Sequence, residues 1–308
     1  MSEYIDIFIN GYKGYANYLW NEITFNYTYK PWWENYFYWL ILISGFIFAL
    51  EIFKPWRKEQ ARFRKDFWLD FFYMFFNFFF FSLIFYNAAS NVFVNLFKDF
   101  LALFGLNNIV AINIEGWSRI AQLFTLFIIR DFIQWWVHRL LHRSSILWEY
   151  HKVHHSVGQM GFAAHLRYHW METVTYRTIE YLPLAMIGFG IDDFFIVHIF
   201  TLAVGHFNHS NLNFNLGFLK YIFNNPRMHI WHHAKYLPSE MKYGVNFGIT
   251  LSLWDYIFKT NYIPYSGRDI KLGFPGDEGF PETFITQILH GFSKKRKIID
   301  QKQYAREN

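Results

Sequence analysis

His138, His142, His151, His154 and His155 fall within 18 residues, as a His-x-x-x-His followed by a His-x-x-His-His. Residues three and four apart share one face of an α-helix, so each group can close on a metal ion. A second His-x-x-His-His, formed by His229, His232 and His233, begins 78 positions after the first. Taken singly, a histidine is more often a surface residue or a packed core residue than a ligand. In a chain with 14 histidines, one such motif arises by chance about 3 times in 100. Two copies beside a His-x-x-x-His are therefore a metal-binding signal.

Ligand number then limits the metal. Zinc is usually held by three or four protein ligands, often including cysteine. This chain has no cysteine, which removes disulfides, Cys-ligated zinc and iron–sulfur clusters. Eight histidines are too many for one ion. Two ions sharing them receive about four nitrogens each, with positions open for water or oxygen. Imidazole suits zinc, copper, iron and nickel, so ligand type alone leaves the identity open.

The elements that position these residues read as membrane helices. Of 308 residues, 53% are hydrophobic and 24% aromatic, a share seldom met in soluble domains. The net charge of +5 does not point to nucleic acid, because the basic residues flank apolar runs as the positive-inside rule expects. Residues 1–35 are polar and aromatic with no secretory signal pattern, and Pro31-Trp32-Trp33 reads as an interfacial anchor. A first span is expected over Tyr36–Phe53 and a second over Phe67–Tyr86. Between them, residues 54–65 carry six basic residues, which places this loop on the cytoplasmic side. The Asn-rich stretch 87–117 reads as an external loop with an interfacial or re-entrant helix.

Ile120–Val137 is the third expected span, and Arg130 and Asp131 suggest that it leaves lipid near residue 130. Asp131, Gln134, His138 and His142 then share a face. Asp131 either orients a ligand from another helix or forms a surface salt bridge with Arg130 or Arg139. Residues 173–190 and 194–205 suggest a helical hairpin turning at Asp192-Asp193, which returns the chain to the cytoplasmic side before His206 and His209. Val245–Phe258 reads as a helix under the metal site. Pro281 opens an expected amphipathic helix over Glu282–Phe292, followed by the basic run Lys294–Lys297. The fold class is all-α: one membrane-embedded domain over 1–308, a multi-span bundle whose cytoplasmic helical cap carries the histidines, with residues 266–308 as a cytoplasmic tail.

Residues 131–142, 147–156 and 228–233 together resemble the sterol desaturase and fatty acid hydroxylase superfamily. Arg167-Tyr-His169 with Glu172, Asn208-His-Ser-Asn211, and Trp254-Asp255 with Phe258 carry the same resemblance, which covers roughly residues 36–265. It implies a multi-span enzyme with a di-iron centre that uses O2 to attack lipid C–H bonds. The metal ligands it implies are His138, His142, His151, His154, His155, His209, His229, His232 and His233, while His169 and His206 stay open as ligands. Asp131, His169, Glu172 and Asp255 are the implied catalytic residues. Relatives can carry a histidine pair at spacing four before the last box, but here the position four before His209 is Gly205. Within the superfamily the chain looks more like bacterial members or the alkylglycerol monooxygenase branch than the sterol enzymes. Expected partners are the membrane, a lipid substrate and a separate electron carrier or reductase. The expected location is a bacterial inner membrane, or the endoplasmic reticulum of a eukaryote.

Rival readings make different demands. A desaturase would use the same metal pair. A metal transporter should place histidines along the membrane midplane, and a di-haem carrier should pair them inside the spans. A surface zinc hydrolase would not need so many ligands, and the chain lacks a His-Glu-x-x-His motif.

Overall fold

The computed structural model describes residues 2–28, 30–106, 110, 112, 114–187, 189 and 191–292. All named elements among them are helical, and only two isolated β-bridges join the irregular segments near the site. Helix α1 spans Ser2–Thr24, α2 Tyr36–Phe53, α3 Phe67–Phe75, α4 Asn87–Ala102, α5 Arg119–Arg143 and α6 Ser145–His155. They are followed by α7 Trp170–Ala185, α8 Ile191–His209, α9 Pro226–His232, α10 Leu253–Ile257 and α11 Phe284–Ile288.

Three helical stretches are long and apolar enough to cross a membrane: Tyr36–Phe53, Phe67–Ala102 and Arg119–Arg143. Asn35 caps α2 by accepting the Tyr38 N–H at 3.0 Å, and the helix runs unbroken to Phe53. Its outward face leaves Phe46 65% and Phe53 81% exposed. Each such ring would cost about 1.5–3 kcal/mol in water relative to burial, so this surface is built for lipid. Trp32 and Trp33 lie exposed at the start of α2, as an interfacial anchor should.

The second span is longer than the sequence suggests. A π-helical stretch, Phe76–Tyr86, joins α3 to α4, so the helix continues through Asn87 to Ala102 instead of ending at Tyr86. The expected loop is thus largely helix. Its asparagines, Asn87, Asn91 and Asn95, hid the continuation; they are half-buried, and α1 packs along α4, with Tyr15 Oη 3.4 Å from Asn91 Oδ1. Asn77, buried in the π-helical stretch, donates to the carbonyls of Leu166 (2.9 Å) and Tyr168 (2.8 Å). That ties the second span to the segment behind the first histidine box.

Arg130 and Asp131, the expected exit from lipid, do not face solvent. Both are buried, with Arg130 beside Glu180 on α7 and His198 on α8. Polar partners from neighbouring helices make these charges tolerable inside a bundle. The hairpin turn also differs from expectation: α8 already begins at Ile191, so Asp193 sits in its first turn. There its buried carboxylate pairs with Arg119 at the start of α5 and lies at the positive end of the helix dipole.

Of Val245–Phe258, only Leu253–Ile257 is helical, and α11 is shorter than expected, starting after a Thr283 cap. The basic run Lys294–Lys297 lies outside the described residues.

Candidate metal centre

Ser144 is the joint that brings the first two motifs together. Its backbone N–H ends α5 on the Leu140 carbonyl at 2.9 Å, and its hydroxyl starts α6 by accepting the Leu147 N–H at 3.3 Å. With one residue between them, α5 and α6 fold back on each other. The third motif rides on α9, started by Pro226 and by Asn225, which accepts the Met228 N–H at 3.2 Å. His209 ends α8.

These four helices sort nine histidines into two groups. His138, His142, His151, His155 and His232 form one; His154, His209, His229 and His233 form the other. Within each group the candidate ligand atoms all lie within 4.8 Å of one another. The two boxes interleave. The outer histidines of the first box (His151, His155) join the first group and its His154 joins the second, whereas the second box does the reverse.

Hydrogen bonds decide which nitrogens are bare. His138 Nδ1–H donates to the Phe247 carbonyl at 2.8 Å, and His232 Nδ1–H to the Val245 carbonyl at 2.8 Å. His154 and His209 donate from Nδ1 to the carbonyls of Arg167 (3.0 Å) and Gly205 (2.8 Å). His151 donates from Nδ1 to Glu172 Oε2 at 2.8 Å. A neutral imidazole has one donor and one acceptor, so in all five Nε2 keeps a lone pair. His229 is the exception, since its Nδ1 faces the Asn224 amide nitrogen at 3.3 Å.

The bare nitrogens face each other. His138 Nε2 and His151 Nε2 are 3.2 Å apart, as are His154 Nε2 and His209 Nε2. Two lone pairs at that separation repel unless a cation lies between them. Adding a proton is disfavoured: burial pushes His154 down to about 4, and burial with crowding by other histidines pushes His151 and His232 well below their ordinary range. Two nitrogens about 2.1 Å from one ion and at right angles to it are about 3.0 Å apart, against about 3.4 Å in a tetrahedron. The shortest pairs here, 2.9 Å for His209–His229 and 3.1 Å for His155–His232, fall near this range. His142 Nε2 and both nitrogens of His233 are buried without a partner. The residues therefore fit two metal ions, one in each group.

The four carboxylate and histidine candidates lie around the groups in different ways. Glu172 touches a group directly through His151. Asp131 instead accepts from Trp254 Nε1 (2.9 Å) and from the Thr250 and Leu251 amides, neither orienting a histidine nor forming a surface salt bridge. Asp255 accepts from Trp135 Nε1 (3.0 Å), the Phe247 and Gly248 amides (2.9 and 2.8 Å) and Thr260 Oγ1 (2.6 Å). His169 lies outside both groups, its Nδ1 accepting the Met171 N–H at 3.0 Å and its ring against Tyr150. His206 also lies outside them, 3.1 Å from Ser44 Oγ. What sequence reasoning missed is the irregular segment 245–252, whose carbonyls hold His138 and His232. Asn246, at a φ of 52°, braces it by donating to the carbonyls of Met228 and Tyr262, both at 2.8 Å.

Residues 123–260, which hold all nine of these histidines, match the family described as fatty acid hydroxylase. Similar proteins carry related names. An ornithine lipid hydroxylase of Rhizobium tropici is 30% identical over 190 residues, covering 61% of this chain and 56% of that protein. An alkylglycerol monooxygenase of Xenopus tropicalis is 31% identical over 183 residues, covering 55% and 39%. A methylsterol monooxygenase of Arabidopsis thaliana is 26% identical over 145 residues, covering 46% and 47%. The chain thus spans little more than half the length of these relatives, or less. No solved structure matches it.

Proposed function

We propose that the protein is a membrane di-iron oxygenase that hydroxylates a lipid. The observation that carries this reading is the set of bare imidazole nitrogens facing each other in two adjacent groups. The names of the relatives point the same way, toward an ornithine lipid, alkylglycerol or sterol-like substrate. The overall reaction is a lipid C–H bond, O2, two electrons and two protons giving an alcohol and water. Iron bound by the two groups supplies the redox chemistry for an unactivated C–H bond, which side chains lack.

The chain's own residues hold and shield. Glu172 keeps the proton on His151 Nδ1, so that its Nε2 faces inward. The carbonyls of Val245, Phe247 and Arg167 do the same for His232, His138 and His154. We place Glu172, Asp131 and Asp255 in positioning roles and His169 in packing. The acyl or alkyl chain of the substrate enters laterally from lipid, where burying apolar surface supplies most of its binding free energy. Electrons come from a separate carrier.

With 18O2, one labelled atom should appear in a new lipid hydroxyl. An unlabelled product with a new double bond would assign desaturation instead, and label arriving only from water would assign hydrolysis. In the proposed topology, the loop 54–65 and all three histidine motifs share the cytoplasmic side, opposite residues 1–30. Single cysteines placed at Lys58 or Arg143 should then react with an impermeant thiol reagent only after cells are opened. Labelling of either in intact cells would reverse the arrangement.

A further inference from the structure

The two groups are built on one plan with one departure. The first takes an i,i+4 pair from a long helix (His138, His142), the outer pair of the first box, and the single His232 of the second. The second takes the outer pair of the second box (His229, His233) and the single His154 of the first. From the long helix α8 it takes only His209. The position four residues before it, on the same face, is Gly205. One group thus counts five imidazoles and the other four.

The space at Gly205 is filled from elsewhere. A Cβ built on this glycine would overlap Cε1 and Nε2 of the His165 ring. Only a residue without a side chain lets that ring lie against α8, where its centroid is 5.2 Å from that of His209. His165 comes from the 3-10 turn Phe162–Leu166, which Glu51 on α2 holds by accepting the Phe162 N–H at 2.9 Å. Its Nδ1 is 3.1 Å from His206 Nδ1, and His206 Nε2 is 3.1 Å from Ser44 Oγ. Ser44 Oγ also reaches Met74 Sδ at 3.6 Å. One placement of protons serves every contact. Ser44 donates to the sulfur and accepts from His206 Nε2–H, while His206 Nδ1 accepts from His165 Nδ1–H. The Nε2 of His165 is then bare, as it is in His154 and His209.

We propose that His165 is the fifth imidazole of the second group, entering through the gap at Gly205. The proposal rests on the two-metal reading, and metal content tests the two separately. Full-length protein carrying its metals is titrated with a chelator, and the metal retained per chain is counted. Compared with the wild type, His165→Ala should lose its second metal at a chelator concentration at least about tenfold lower, since removing a group that merely supports a ligand already costs about 10–100-fold in affinity. Gly205→Ala should behave alike, since its methyl displaces the same ring. The double variant His165→Ala with Gly205→His should regain the second metal, because the new imidazole fills the vacated place. Equal chelator resistance in His165→Ala and the wild type would overturn the proposal and leave the two-metal reading intact. Failure of the double variant to recover would assign the loss to folding and likewise overturn it. A wild-type chain holding one metal or none would remove the reading beneath it.

Discussion

His142→Ala should leave the protein with about one metal per chain and abolish activity. His142 has a buried Nε2 with no other partner, and its ring lies within 5.3 Å of those of His138, His151, His155 and His232. Nothing else holds that nitrogen in place, so its contribution is to the ion. The loss should exceed the roughly 10–100-fold seen when a group that merely supports a ligand is removed. His233→Ala should give the same loss from the other group, because both its nitrogens are buried and unpartnered. His169→Ala is the control: it should keep its metals, since its ring packs on Tyr150 and Trp170 outside both groups. Elemental counting beside a lipid turnover assay separates these outcomes. Full metal content in His142→Ala would break the link between the first group and the ion.

Asp255→Ala should be the most destabilising carboxylate change. Its side chain is fully buried and accepts from four donors: Trp135 Nε1, the Phe247 and Gly248 amides and Thr260 Oγ1. Truncation strands all four in the interior. With about 1 kcal/mol or more for each buried donor left unpaired, the loss should reach about 4 kcal/mol. For a chain of this size that corresponds to a fall of roughly 10 °C in melting temperature. Metal should be lost as well, because the Phe247 amide that Asp255 anchors belongs to the residue whose carbonyl orients His138. Asp255→Asn should lose less, as it keeps one acceptor oxygen but turns an amide NH2 toward a backbone N–H. A melting curve unchanged in Asp255→Ala would show that the segment 245–252 is held by other means.

The histidine motifs were legible because spacing of three and four on a helix is a geometric statement, and α5, α6 and α9 are helices. The first span was legible to the residue, since an apolar run with a capping asparagine leaves little choice. Three other features were not. The stretch 245–252 is apolar because it is buried, and burial gives an irregular segment the same run of apolar residues as a helix. Gly244, just before the run, and Asn246 and Gly248 inside it were the warning signs, all poor helix formers. Arg130 and Asp131 suggest an exit from lipid, whereas both are buried against groups distant in the chain: Glu180 and His198 beside Arg130, and Trp254 on Asp131. His165 gave no signal at all. The histidine four positions on, His169, lies outside both groups, and only folding sets His165 against Gly205.

The most direct measurement is the metal content of the intact protein, taken by elemental counting together with Mössbauer spectra after growth on 57Fe. The expected result is about two irons per chain, in environments made of nitrogen and oxygen ligands, with both lost when the bare imidazoles of the two groups are replaced. One zinc per chain, retained in His142→Ala and in His233→Ala alike, would contradict the reading of the two histidine groups as a di-iron centre.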